Sequence, residues 1–389
     1  MSARKVTFDN GANLWVYERG HEEDVAIDLI IPYGQVHGQG AHFLEHKLAG
    51  DMSSFEVKGI EFNALTYTDR MHFWVVSPRQ NIELAVQALY EAFVNDSISP
   101  DGLESIKGSV GGELLDRNSD PYNNMTDAIR AYLLDFEEET EERVQAMTIP
   151  RLAEAKQRYF GPKNLSIADV GDVDDGITQI VDNRFGRLEK KGNEKHTFTQ
   201  PQRQRYEESE EVHDDSGYVI VFVPVGGVNH PDRYTLDFIS HALGGSRGFY
   251  TFNNRLFREL TIKRGLGYFP HALYETYVGV GLLQFSVMGM HKKDANLAKS
   301  VLLDELEKIK EPLGEDEFEG VRYSMVTAER RNFYDRPTDI SGRYAEAEFF
   351  CIDPRLEYFS QQINTLTQES VAQTAKEIFD GRYFIAASS

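Results

Sequence analysis

The chain repeats itself. Val25–Pro32 (VAIDLIIP) is an apolar run closed by proline and followed by Gly34, and Tyr218–Pro224 (YVIVFVP) is a second such run followed by Gly226 and Gly227. After the first run comes His46-Lys-Leu48-Ala-Gly50, and after the second comes His241-Ala-Leu243-Gly-Gly245, 195 residues further on. A unit of that length used twice in 389 residues predicts two domains of one architecture, since a chain this long exceeds one ordinary core. Between the copies, Leu188–Ser216 is rich in Lys, Glu, Gln, Arg and Asp and poor in apolar residues. It reads as a linker with an extended segment near His196-Thr-Phe, which puts the boundary near residue 200 and the domains at 1–200 and 201–389.

Within the first copy, apolar alternation and short apolar runs predict strands over 13–19, 25–32, 60–67, 72–77 and 165–170. Helical periodicity predicts helices over 83–94, 103–116, 122–136 and 149–160. The second copy reads as strands over 218–224, 267–275 and 282–290, with helices over 294–310, 315–332 and 370–379. Strands bunched in hairpins and helices bunched in long runs point to an α+β fold, with a largely antiparallel sheet and helices on one face in each domain.

The helix after the first apolar run carries His42-Phe-Leu-Glu45-His46. Residues four apart on a helix share a face, so His42 and His46 present two imidazole nitrogens to one point, with Glu45 beside them. Two neutral nitrogens, an open position for water and a nearby carboxylate are what a zinc hydrolase needs. A solvated helix face would explain the same residue types. Ala41, Phe43, Leu44 and Leu48 argue instead for a largely buried helix, in which imidazoles and a carboxylate require partners. At the matching places the second copy has Asp237 and Ser240, with His241 alone, so His241 is expected to be structural.

A zinc site of this kind takes a third protein ligand. Glu113, on the predicted helix 103–116 and flanked by Gly111, Gly112 and Leu114, is the favoured candidate, with Glu104 and Asp116 as rivals. The small neighbours suggest a close helix approach, and the apolar side suggests burial.

Composition excludes some alternatives. A net charge of -22, from 63 acids against 41 bases, opposes binding to nucleic acid, which needs a basic surface. It suits cationic peptides, and it also serves plain solubility. The single cysteine, Cys351, rules out an internal disulfide and a cysteine metal site. The first residues have no signal-peptide pattern and no run of about 18 apolar residues exists, so neither secretion nor a membrane span is expected and the cytoplasm is the default.

Together, His42-x-x-Glu45-His46, Phe62-Asn63-Ala64-x-Thr66, Glu113 and the following Asp120-Pro121 resemble the pitrilysin family of metallopeptidases, the inverted zincins that include processing peptidases. Lys263-Arg264-Gly265-Leu266-Gly267-Tyr268 looks like the end of that family's R-E-x-x-G-L-x-Y region. Thr261-Ile262 stand where the R-E pair belongs, and Arg258-Glu259 lie three residues earlier. The resemblance spans both halves. It implies zinc held by His42, His46 and Glu113, with Glu45 as general base toward the attacking water. It implies that Asn63, Ala64 and Thr66 lie on an edge strand that receives the substrate as an added strand. Arg264 and Tyr268 would hold the substrate backbone and polarise the scissile carbonyl.

The implied fold is a pair of homologous, processing-peptidase-like domains in a clam-shell arrangement. The implied activity is zinc-dependent cleavage of short or unfolded peptides, such as a precursor or leader peptide. The implied assembly is a homodimer, or a heterodimer with a related subunit. The alternative is a non-catalytic partner subunit that keeps the fold. Two departures bear on activity: Ile106 stands where the family has a second glutamate, and the 67 residues from His46 to Glu113 are fewer than usual.

Overall fold

The structure is a computed structural model that describes residues 3–20, 23–190, 198–202, 204–210, 215–245, 254–268, 270–333 and 335–388. It contains two sheets. The first comprises β1 (Ala3–Thr7), β2 (Asn13–Glu18), β3 (Asp24–Ile31), β4 (Glu61–Thr66), β5 (Met71–Pro78) and β6 (Ser166–Gly171), in the order β1-β2-β6-β3-β5-β4. The second comprises β7 (Tyr206–Glu210), β8 (Ser216–Val225), β9 (His271–Thr276), β10 (Gly281–His291) and β11 (Phe384–Ser388), in the order β7-β11-β8-β10-β9. Apart from β1, the sheets match strand for strand. Each has one parallel pair in the same place, β2 with β6 and β7 with β11, and every other pairing is antiparallel. The architecture is α+β with two sheets of one topology.

The compact units do not follow the chain halves. One contains Met1–Arg117, Asp135–His196 and Phe333–Pro354, and the other contains Asn118–Leu134, Thr197–Asn332 and Arg355–Ser389. The hand-over at His196 and Thr197 lies close to the boundary expected at residue 200. Two helices are exchanged across it: Pro121–Leu134 belongs to the second unit and Pro337–Phe350 to the first. The extended segment expected near His196 lies mostly outside the described residues.

This exchange changes the expectation of helices on one face only. In the first unit, Gly40–Met52 and Ile82–Val94 pack on one face of the sheet through Ala41, Phe43, Leu44, Leu48, Ala85 and Leu89. The other face is covered by the exchanged helix, whose Ile340, Tyr344 and Ala345 meet Ile30, Ala168 and Val170. Strands covered on both faces are apolar throughout, which is why β3 and β8 are buried from their second residue to their last. Strand β4 has β5 as its one neighbour, leaving its outer edge unpaired among the described residues, and it alternates in exposure as an edge strand should.

Each exchanged helix is fastened by polar contacts to the sheet beneath it. On the first, Ser341 Oγ donates to Asp28, Asp28 also pairs with His72 Nε2, and Arg70 pairs with Glu346. On the second, Arg130 grips Glu275 through two hydrogen bonds of 2.9 and 2.7 Å. There Tyr122 Oη lies 2.9 Å from Ser286 Oγ and accepts from Gln284 at 3.0 Å. The sequence reading did not include the helices Glu141–Gln145, Asp175–Asp182, Pro337–Phe350 and Leu356–Asn364, nor β1, β7 and β11.

Candidate metal centre

The motif helix begins where β3 ends. Gly34 leaves the strand so close to the β4–β5 turn that a Cβ there would lie 2.4 Å from Arg70 N and 2.5 Å from Tyr67 O. Gln35 and Val36 donate their backbone N–H groups to Tyr67 and Thr68 carbonyls, each at 3.0 Å. Gly40, the first helical residue, fits against the Tyr33 hydroxyl, 2.3 Å from where a Cβ would sit. These contacts fix the helix against the sheet. Phe43, Leu44, Leu48 and Met52 go into the core, and His42, Glu45 and His46 are left half-buried at the rim.

Glu113 comes from the helix Pro100–Asn118, which Leu103, Val110 and Leu114 anchor to the core. Its carboxylate meets both imidazoles: Oε2 is 3.1 Å from His42 Nε2, and Oε1 is 3.2 Å from His46 Nε2. The two Nε2 atoms are 3.2 Å apart. On the far side of the first ring, His42 Nδ1 lies 3.1 and 3.3 Å from the two oxygens of Glu139. An ionised carboxylate only accepts, so Nδ1 carries the proton and donates. Burial pushes the His42 imidazole pKa down, but Glu139, with Glu45 and Glu113 behind it, more than offsets that, and the group ends above its ordinary value. Burial raises the Glu45 carboxyl, with the imidazoles of His42 and His46 pulling the other way.

The donor set fits a small divalent cation. With Nδ1 of His42 directed at Glu139, its Nε2 is the nitrogen that faces His46 Nε2 and the Glu113 carboxylate, where it would offer its lone pair to a cation. Ligands about 2.0–2.1 Å from a tetrahedral zinc sit about 3.3–3.4 Å from one another, and the separations here, 3.1 to 3.2 Å, are close to that. Among the described residues, His42, His46 and Glu113 are the group whose ligand atoms all lie within 4.8 Å of one another.

The rivals for the third ligand stand apart from this group. Glu104 pairs with Lys107 at 2.9 Å, and Asp116 is exposed. The reasons that favoured Glu113 differ from what holds it there. Its side chain is 59% exposed, and a Cβ on Gly111 or Gly112 would meet nothing within 4 Å. Ile106 packs against the core.

A cavity of about 200 Å³ opens beside these groups, lined by Gln35, His42, Glu45, Leu65, Thr66, Glu113, Leu114, Arg117 and Glu139. Thr66 is thus in the site, on the edge strand. Asn63 and Ala64 lie further along β4, where Ala64 N–H donates to Asn63 Oδ1 at 2.8 Å. Glu139 and Arg117 were not among the sequence candidates. Arg117, one turn beyond Glu113, had the helical spacing as a signal.

Arg264 and Tyr268 belong to the second unit. Arg264 follows a π-helical turn, Phe257–Ile262, and donates to Glu259 Oε2 at 2.9 Å and to its carbonyl at 2.7 Å. Lys263 and Arg264 together bring the Glu259 carboxyl down to about 2. Thr261, in the place of the missing arginine, donates to the Gly267 carbonyl at 3.0 Å. Tyr268 is 64% exposed and donates its backbone N–H to Met288.

Residues 146–325 match the family model described as the peptidase M16 inactive domain, a span that begins beyond both Glu113 and Glu139. An uncharacterized zinc protease of Mycobacterium tuberculosis is 25% identical over 370 residues, covering 88% of this chain and 82% of that protein. A solved protease from Helicobacter pylori superposes with a TM-score of 0.89 at 18% identity, covering 100% of this chain and 99% of that one. A chain of Complex III2 from Candida albicans superposes with a TM-score of 0.84 at 13% identity, covering 100% and 96%. The chain has the two-domain fold of M16-like peptidases, and in sequence it is similar to proteins named zinc proteases.

Proposed function

We propose that this chain is a zinc-dependent endopeptidase acting on short or unfolded peptides. The observation that carries this reading is the meeting of His42, His46 and Glu113 at 3.1 to 3.2 Å, with Glu45 in the same cavity and the edge strand β4 forming one wall. A zinc ion held by these three residues supplies Lewis acidity toward a water molecule and a peptide carbonyl. Glu45 takes the proton from the attacking water. As the C–N bond of the peptide breaks, Glu45 delivers that proton to the leaving nitrogen.

The substrate lies along β4 as an added strand, held by main-chain hydrogen bonds that read few side chains. Asn63 turns its side chain away to free the Ala64 N–H for that pairing. We assign Tyr268 to the substrate backbone. Arg264 acts on substrate only once released from Glu259. The working form is a homodimer or a pair with a related subunit. The single, exposed Cys351 suits a reducing cytoplasm, and no helix among the described residues is long and apolar enough to cross a membrane.

A second reading, a non-catalytic subunit, has support in the matched model's description as an inactive domain. The matched residues exclude the metal set, which favours the catalytic reading. Glu45→Gln separates the two. Zinc content and unfolding midpoint should stay near the wild-type values while cleavage of a mixed peptide library falls at least about 10²–10⁴-fold. Unchanged cleavage in that variant refutes the mechanism, and a wild-type protein that binds zinc but cleaves nothing favours the subunit.

A further inference from the structure

Glu139 is a half-buried carboxylate in a run of acids, Glu137-Glu-Glu139, and its side chain is 15% exposed. Its two neighbours point to solvent and it does not. The backbone on either side is fixed. Thr140 caps the helix Glu141–Gln145 by accepting the Arg143 N–H at 3.3 Å. The Arg143 guanidinium donates to the Glu138 carbonyl at 2.9 Å and pairs with Glu137 at 2.9 Å. This small frame aims Glu139 at one target, His42 Nδ1, with both oxygens within 3.3 Å. A desolvated carboxylate needs a donor, and His42 is the one that it has among the described residues.

We propose that Glu139 is the positioning residue of the metal centre, fixing the His42 ring and its tautomer so that Nε2 presents a lone pair to the cation. This rests on the reading that His42, His46 and Glu113 hold zinc. Glu139 faces the nitrogen opposite the coordinating one, so it is not itself a ligand, and it lies outside the group of three that converge. A carboxylate on Nδ1 does two things: it holds the proton there, and it makes the far nitrogen a stronger donor to the metal. Removal of such a partner weakens metal binding by about 10–100-fold.

The test is equilibrium zinc affinity of the metal-stripped full chain, measured by competition with a chromophoric chelator, with no assay of cleavage. Glu139→Ala should bind zinc about 10–100-fold more weakly than the wild type. Glu139→Gln should fall between them, because its amide oxygen still accepts the Nδ1 proton but carries no charge. In a His42→Ala background, Glu139→Ala should change zinc affinity no further, since its effect passes through that ring. If the wild type binds zinc and Glu139→Ala binds it equally well, or if the same loss appears in the His42→Ala background, the positioning role is overturned. A wild-type chain that takes up no zinc overturns the metal reading itself and this inference with it.

Discussion

The two units share five strands in one order, yet the corresponding helices after β3 and β8 differ in what they leave exposed. In the first, His42, Glu45 and His46 are left half-buried at the rim of a cavity. In the second, Asp237, Ser240 and His241 are buried at 6%, 0% and 2% exposure, and His241 Nε2 lies 3.0 Å from Ser324 Oγ. One scaffold thus presents its polar residues at a cavity rim in one unit and seals them in the core in the other, and the difference lies in exposure as much as in residue type. His241 is sealed in the core beside a serine, whereas His42, Glu45 and Glu113 line a cavity of about 200 Å³.

The sharpest way to break that comparison is to truncate the equivalent histidines. His46→Ala should remove zinc and cleavage together while leaving the fold. His241→Ala should leave zinc content unchanged and cost about 1–3 kcal/mol of stability, through the cavity and the Ser324 hydroxyl left without its partner. Metal analysis and denaturant unfolding of both variants decide this, and loss of zinc on His241→Ala would end the assignment of a purely structural role.

The exchanged helices show a second inversion. The tenth residue of Pro337–Phe350 is Glu346, which pairs with Arg70, and the tenth residue of Pro121–Leu134 is Arg130, which pairs with Glu275. The charges are reversed, so a helix docked on the wrong sheet would set like charge against like. Arg70 also pairs with Asp69 and lies over the Tyr67 ring, 4.4 Å from its centre, so losing Glu346 does not wholly strand it. Glu346→Arg should therefore cost about 3–5 kcal/mol, as breaking a buried pair does. Glu346→Arg combined with Arg70→Glu should recover part of that loss in equilibrium unfolding. No recovery would show that the pair does not select the helix.

A finer contrast lies in the central strands. Ile167-Ala168-Asp169 of β6 occupies the same sheet position as Ile385-Ala386-Ala387 of β11. Both oxygens of Asp169 are buried with no hydrogen-bond partner among the described residues, and burial pushes its carboxyl up to about 8. The folded state therefore holds a proton that the unfolded state releases near pH 4. Its contribution to stability is complete below the unfolded value and is lost as pH climbs from there to about 8. Asp169→Asn should remove that slope, gaining roughly 3–4 kcal/mol more at pH 8 than at pH 5. A gain that does not vary with pH would mean that Asp169 is ionised in the fold.

Much of this was readable in the residues. Apolar runs and helical periodicity located the strands of the hairpins and the helices beside them, because local pattern and burial agree there. Which sheet a helix covers was not readable. The apolar face of Pro121–Leu134 shows that it docks but not where, and only the tertiary structure gives the exchange. Pro337–Phe350 escaped because Asp339, Gly342, Arg343, Glu346 and Glu348 interrupt its apolar pattern. Strand β11, FIAAS, is too short and too rich in alanine to stand out.

At the site, the i, i+4 histidines were legible from spacing alone. Gly111 and Gly112, which in the sequence suggest a close helix approach beside Glu113, face open space. Glu139 was hidden because a run of acids reads as solvated loop. The sign that marked it was Thr140, a helix-capping residue immediately after.

The central claim is that side chains from two separated helices hold one cation in the first unit. Elemental analysis of the purified wild type, Glu113→Ala and Glu104→Ala measures it most directly. One zinc per wild-type chain, with most of it lost from Glu113→Ala and full occupancy in Glu104→Ala, is the predicted result. Full occupancy in Glu113→Ala with loss in Glu104→Ala would contradict it.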